Sequence, residues 1–133
     1  MKHLLTMTAA AAALALTAPA SAHDRQERSD EAFAELVEGR VAGEPQSCIR
    51  AFRSNRLRVI ENVGIAYERG DTLWVARTDN PRDLGPWDIP IIRRHGSQLC
   101  RHDVRETVDR SSGMFSGILF LNEFVPYRRA EEG

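Results

Sequence analysis

The segment from Val63 to Arg77 constrains the fold most, because two apolar runs flank a short polar link that contains Gly70. This pattern predicts a β-hairpin with the glycine at a turn position of positive φ. A three-residue loop, Glu68–Gly70, gathers the apolar residues on one face, whereas a two-residue loop, Gly70–Asp71, distributes them over both faces. The sequence therefore favours the first register. That register places three pairs opposite one another: Ile65 and Leu73, Val63 and Val75, and Gly64 and Trp74.

A hairpin alone is marginal in water, so other strands must cover it. Short apolar segments separated by turn residues predict those strands. They lie around residues 47–51, 56–60, 89–94, 99–102 and 117–121, with a closing segment at 124–127. Segments of this length and spacing are typical of a mainly β fold. The sequence predicts a small antiparallel barrel or sandwich with one short N-terminal helix and one disulfide.

The predicted helix covers about residues 30–38. Ser29 or Asp30 is the candidate N-cap, and Gly39 follows the last turn. Apolar side chains at Phe33 and 36–37 form one stripe, which must pack against another element because so short a helix is not stable alone.

Residues 1–22 have the order of an export signal, with Lys2 and His3 before an apolar segment and Ala20-Ser21-Ala22 as the cleavage site. The apolar segment is shorter than the roughly 20 strongly apolar residues that span a bilayer. The mature protein is expected to begin at His23, to lack a membrane span and to be periplasmic or secreted. Four segments are predicted: the signal peptide 1–22, a disordered N-terminus 23–29, one β domain 30–128 and a frayed tail 129–133.

Cys48 and Cys100 are the two cysteines of the chain. An even count in an oxidising compartment predicts a disulfide between them. A redox pair and a thiolate metal site are the alternatives, but the C-x-x-C spacing usual for a redox pair is absent.

The charge balance gives little support to nucleic-acid binding. The chain carries 18 basic and 19 acidic side chains, and loss of Lys2 with the signal leaves 17 against 19, a net charge of −2. Arginines cluster over residues 50–58 without net positive charge or interleaved aromatic residues, so no nucleic-acid partner is expected.

Trp87 lies in the longest irregular segment, residues 78–88, where binding groups often occur. With Arg82, Arg93 and Arg94 it forms a possible ligand surface of one indole and three guanidinium groups. The alternative is that Trp87 folds back as a lid on an open end of the barrel.

Histidines provide two further candidates. The α-amine and imidazole of His23 would chelate Cu(II) after cleavage. His95, His102 and Asp103 lie close to Cys100 in sequence, but a disulfide would remove the thiolate from such a site. Surface histidines in turns are the simpler interpretation, and no metal or cofactor is assigned.

Three segments resemble a family of small exported proteins found in alphaproteobacteria such as sphingomonads. They are Leu36–Ile49, Gly96–Arg101 (Gly-Ser-Gln-Leu-Cys-Arg) and Phe124–Tyr127 (Phe-Val-Pro-Tyr). The resemblance covers most of the mature chain. It implies export and a disulfide-bonded fold, and it implies no reaction.

The chain carries none of the G-x-S-x-G, H-E-x-x-H or glycine-rich phosphate-loop motifs. The leading hypothesis is therefore a non-enzymatic envelope protein that binds a polymer or another protein. The alternatives are a periplasmic enzyme inhibitor with a rigid loop, and a copper-handling protein that uses His23.

Overall fold

A computed structural model describes residues 20–51, 56–94 and 96–131. The fold is mainly β, with 47% strand and 20% helix, and its sheets are antiparallel. The helix is α1 (Ala20–Leu36), and the strands are β1 (Arg40–Ala42), β2 (Cys48–Arg50), β3 (Leu57–Ile60), β4 (Gly64–Arg69), β5 (Thr72–Arg77), β6 (Asp88–Ile92), β7 (Gln98–Cys100), β8 (Val104–Asp109), β9 (Phe115–Ile118) and β10 (Val125–Arg129). Short 3₁₀ turns cover Pro81–Asp83 and Arg101–Asp103.

The strands form three sheets. The largest has five strands in the order β1-β10-β5-β4-β3. β2 pairs with β7, and β6, β8 and β9 form a three-stranded sheet in the order β6-β8-β9. The prediction of a mainly β fold is confirmed, and the layered arrangement fits the sandwich alternative.

Both faces of the five-stranded sheet are buried at its centre, in β4 and β5. One face packs against the two smaller sheets, in a core that includes Ile65, Tyr67, Trp74, Leu99 and Phe124. The other face packs against α1, in a second cluster that includes residues of β4, β5 and the helix. The molecule therefore has three layers: helix, five-stranded sheet, and the two smaller sheets.

The predicted register of the central hairpin is wrong. The structure has the two-residue loop Gly70–Asp71, in which Tyr67 lies opposite Trp74 and Gly64 opposite Arg77. This register distributes the apolar side chains over both faces, and both faces are needed because α1 covers one of them and the smaller sheets cover the other. The prediction assumed one buried face, which holds only for a sheet with one solvated side.

Helix α1 begins before the predicted residue 30 and includes the segment 23–29 that composition placed in a disordered N-terminus. Arg77 joins the helix to the sheet: its Nη2 lies 2.7 Å from Asp30 Oδ1 and donates to the buried Ser29 hydroxyl at 3.2 Å. The hydrogen bond from Arg77 lowers the pKa of Asp30. The same guanidinium stacks on the Phe33 ring, 4.6 Å from its centroid. The helix ends at Leu36, two residues before the predicted end, and Gly39 follows in the turn at φ +70°.

The disulfide between Cys48 and Cys100 is confirmed. The two residues lie directly opposite each other in the β2–β7 ladder. Their neighbours Ile49 and Leu99 are buried in the larger core, so the disulfide lies beside packed side chains. Most of the predicted signal peptide lies outside the described residues, as does the end of the predicted tail.

Candidate functional site

The sheet β6-β8-β9 has one face in the core and one face toward solvent. Residues directly opposite in antiparallel strands point to the same side of a sheet. Val104 and Thr107 are buried on the inner side. The outer side carries two rows across the three strands: Ile91–Glu106–Ile118 and Ile89–Val108–Phe115. We call this side the outer face; five of its six positions are apolar.

The outer face continues into exposed apolar side chains at both ends. Five large apolar side chains are 51–69% exposed, and we call them the apolar patch: Trp87, Met114, Phe115, Ile118 and Phe120. A large side chain buries about 150–250 Å² when it is covered, so the patch leaves on the order of 600 Å² open to solvent. Contiguous apolar patches of roughly 300–600 Å² are the largest on a typical monomer and are often functional, so a summed area of this size makes the region a candidate site.

A groove of about 480 Å³ crosses the outer face. Its walls are formed by three apolar residues, Ile91, Phe115 and Ile118, and by five polar or charged ones: Arg93, His102, Asp103, Arg105 and Glu106. Arg93 Nη2 lies 2.6 Å from Glu106 Oε1. Asp103 Oδ2 accepts a hydrogen bond from Cys100 N at 2.7 Å, and Arg105 Nε donates to the His102 carbonyl. Two arginines and two carboxylates therefore balance one another, so the groove is electrically neutral, and Glu106 lies between the apolar side chains of Ile91 and Ile118.

Trp87 extends this surface instead of covering a core. Its side chain is exposed, so the lid interpretation is wrong. The turn that carries it is well supported: Asp88 Oδ2 accepts from Gly85 N at 2.7 Å, and Arg110 N donates to the Trp87 carbonyl at 2.9 Å. The indole is therefore presented on backbone that is tied to the sheet.

The loop between β8 and β9 presents Met114 and Phe115. Asp109 organises it, because its Oδ1 accepts from the backbone N–H groups of Ser111 and Ser112, both at 2.9 Å, and from both of their hydroxyls. Gly113 completes the turn at φ +68°. The Ser111 hydroxyl, followed by the groups of Ser112, lowers the pKa of Asp109 from 3.8 to about 2.

We expect the turn to loosen in acid. Since the pKa of Asp109 is lower in the folded protein, its ionised form stabilises the fold above the unfolded pKa, near 4, and this contribution is lost as the pH falls toward 2. NMR titration of the Asp109 carboxyl should show a midpoint near 2. In an S111A/S112A variant the midpoint should rise; an unchanged midpoint would contradict the hydrogen-bond explanation.

The outer edge of the sheet, strand β9, has backbone carbonyl groups that are already hydrogen-bonded. The Ile118 carbonyl accepts a hydrogen bond from Asn80 Nδ2 at 2.7 Å, and the next outward carbonyl, that of Phe120, accepts from Asp79 N at 3.1 Å. The Ile118 carbonyl is therefore not free to pair with an added strand, and the Phe120 carbonyl is likewise occupied just beyond the end of β9. The face is therefore the candidate binding surface.

The residues predicted for a ligand surface do not form one cluster. Trp87 and Arg93 lie at opposite ends of β6, separated by roughly 20 Å of extended chain. Arg93 is exposed and paired with Glu106, whereas Arg94 Nη1 donates to the Ala51 carbonyl and supports the loop after β2. The Arg82 side chain lies outside the described part of the structure.

The histidine candidates are placed only in part. His23 and His102 are exposed, and His95 lies outside the described residues. Cys100 is in the disulfide, and Asp103 caps the turn that follows it. Within residues 20–51, 56–94 and 96–131, no three His, Cys, Asp or Glu side chains form a group that could hold a metal ion.

Sequence reasoning missed most of the outer face. Residues 117–121 were expected to form a strand, but β9 ends at Ile118; Leu119 and Leu121 are buried, while Ile118 and Phe120 are exposed to solvent. The sequence did contain a sign of this exposure. Four consecutive apolar residues supply both faces of a strand, whereas a strand with one buried face needs an apolar residue only at every second position. Nothing in the sequence says which of those faces is covered.

Among the described residues, no helix is both long enough and apolar enough to cross a membrane. No family model matches this chain, and comparisons with curated proteins and with solved structures find no match. The function must therefore be argued from the outer face itself.

Proposed function

We propose that this chain is an exported, non-enzymatic binding protein that recognises the surface of another polypeptide through the outer face of its β6-β8-β9 sheet. The observation that carries the proposal is the apolar patch: Phe115 and Ile118 are exposed on β9, and Trp87, Met114 and Phe120 are exposed on the segments that adjoin the ends of β6 and β9. Exposing them to water is unfavourable, and a partner that covers them would recover that free energy.

Three features support a polypeptide partner. The groove combines three apolar side chains with two arginines and two carboxylates whose charges balance, which does not suit a strongly anionic polymer. Aromatic and methionine side chains are enriched in the centres of protein interfaces. The turns around Trp87 and Asp109 are hydrogen-bonded, so little conformational entropy is lost on binding.

Export belongs to the same proposal. It is supported by the signal-like residues 1–22, by the resemblance to exported proteins and by the disulfide, which is typical of oxidising compartments. The periplasm is the compartment in which we place the binding function.

A periplasmic enzyme inhibitor is the second candidate. The exposed Trp87 on its supported turn favours it, since a rigid protruding aromatic side chain is suited to fill an enzyme cleft. In that case, a Trp87→Ala variant should lose inhibition of the captured enzyme, while a Phe115→Arg variant should keep most of it.

We expect Phe115→Arg to abolish capture of the polypeptide partner. Phe115 lies in the groove wall and is 61% exposed, so the substitution places a charge in the interface without disturbing the core. Loss of a central aromatic contact weakens binding by about 2 kcal/mol or more, about 30-fold. Crosslinking of the mature protein in envelope extract, followed by affinity measurement with the captured polypeptide, tests this.

Val41→Arg is the matched control. Val41 is exposed to a similar degree, 60%, but it lies in β1 at an edge of the five-stranded sheet. We expect this variant to bind as the parent protein does. Equal binding by the parent and the Phe115→Arg variant would contradict the proposal. Turnover of hydrolase or redox substrates that depended on Trp87 or His102 would contradict its non-enzymatic part.

A further inference from the structure

We infer that the polypeptide covering the outer face is a second copy of this chain, in a symmetric dimer. The inference rests on the proposed function and names the partner. Two outer faces would stack, so that the three-stranded sheets of the two copies form the two layers of an intermolecular sandwich.

The contact is made by faces and not by edges. Pairing of β9 with β9 of another copy would need free backbone groups along the edge, and the Ile118 carbonyl already accepts from Asn80. Face-to-face packing places sheets about 10 Å apart with their side chains interdigitated. The apolar rows provide such side chains, while Gly117, with no side chain, lies on the inner side of the same strand.

The charges of the groove are self-complementary. A two-fold axis brings each surface patch against the same patch in reversed orientation. Arg93 and Glu106 form one cation and one carboxylate at the same place, so each can face its opposite on the other copy. A partner with charge of a single sign would instead leave one member of the pair opposed by like charge.

The area also fits a dimer of ordinary size. The apolar patch leaves on the order of 600 Å² open on each copy, against about 800 Å² buried per partner in a standard interface. The half-buried Ile89, Ile91 and Val108 lie between the exposed side chains and would add to the contact.

Sedimentation velocity of the mature protein over a wide concentration range tests the inference. We expect a reversible monomer–dimer equilibrium. Phe115→Arg should weaken dimerisation at least about 30-fold, and Val41→Arg should leave it unchanged, with both variants retaining the circular dichroism of the parent.

Charge exchange gives a sharper test. An R93E chain carries two carboxylates at the pair, and an E106R chain carries two guanidinium groups. Each variant alone should dimerise at least about tenfold more weakly, because the pair then presents only like charges to the same pair of the other copy. An equimolar mixture of the two variants should form heterodimers, since the two carboxylates of the R93E chain then face the two guanidinium groups of the E106R chain.

Three outcomes would overturn the inference: a mature protein that is monomeric at every concentration, a dimer that is insensitive to Phe115→Arg, or a mixture of R93E and E106R chains that does not associate. Co-sedimentation of a monomeric protein with phosphatidylethanolamine–phosphatidylglycerol vesicles would also overturn it. A monomer that still captures a different polypeptide in a Phe115-dependent way would refute the dimer alone, and the proposed function would stand. A monomer without such capture would refute both.

Discussion

Replacement of Gly64 by alanine is expected to lower the free energy of unfolding by about 4 kcal/mol, from overpacking and backbone strain together. Gly64 begins β4 at φ +152°, a conformation that residues with a side chain rarely adopt. A Cβ at this position would overlap the Ala76 carbonyl oxygen and lie 2.9 Å from Arg77 Cα and 3.0 Å from Thr78 N. All three are backbone atoms at the open end of the hairpin, where β5 ends, so no flexible side chain can move aside.

Thermal or urea unfolding of the mature Gly64→Ala protein would measure this effect. For a domain of this size, the expected loss corresponds to a melting temperature lower by on the order of 15 °C. Gly70→Ala is the matched control, because Gly70 also has positive φ, +58°, but an added Cβ meets nothing within 4 Å. That control should cost only about 1–2 kcal/mol. Equal effects of the two substitutions would show that backbone conformation, and not the close approach of β5, sets the cost at Gly64.

Loss of the disulfide is expected to have an effect of similar size. The bridge joins residues 52 positions apart, and the chain-entropy treatment assigns a loop of that length about 4 kcal/mol. Native stabilities are about 5–15 kcal/mol, so a C48S/C100S variant should retain little of its stability. The β2–β7 pair should loosen first, because an isolated two-stranded ladder is marginal without its crosslink.

Equilibrium unfolding of the C48S/C100S variant beside the parent protein, each with and without a reductant, would test this prediction. The reduced parent should match the variant, and the variant should not respond to the reductant. Amide exchange at Ile49 and Leu99 should rise before exchange in β4 and β5. A variant as stable as the oxidised parent would show that core packing alone holds the smaller sheets in place.

The central hairpin shows where sequence reasoning succeeded and where it failed. The two apolar runs and Gly70 were sufficient to predict the hairpin, because local turn preference and apolar spacing are properties of the segment itself. The register was not predictable, since it depends on how many faces are buried. Packing of α1 against Ala66 and Val75 decides that question, and this packing involves residues far apart in the chain.

Of the residues of the candidate site, Trp87 and Arg93 were singled out from the sequence. Trp87 was singled out because a tryptophan in a long loop is conspicuous, and its exposure makes it part of the apolar patch. Arg93 was singled out for its charge, and the structure pairs it with Glu106 on the outer face. Phe115 and Ile118 were not recognised, because the sequence does not distinguish an apolar strand residue that faces the core from one that faces solvent.

Local patterns were sufficient to predict the mainly β fold class, the helix near the N-terminus and the pairing of Cys48 with Cys100, because each follows from local periodicity or from having only two thiols. The hairpin register, the burial of both faces at the centre of the five-stranded sheet and the exposure of the outer face became known only from the folded structure. These depend on which elements cover which surfaces. Coverage arises from contacts between distant segments, and no local pattern encodes it.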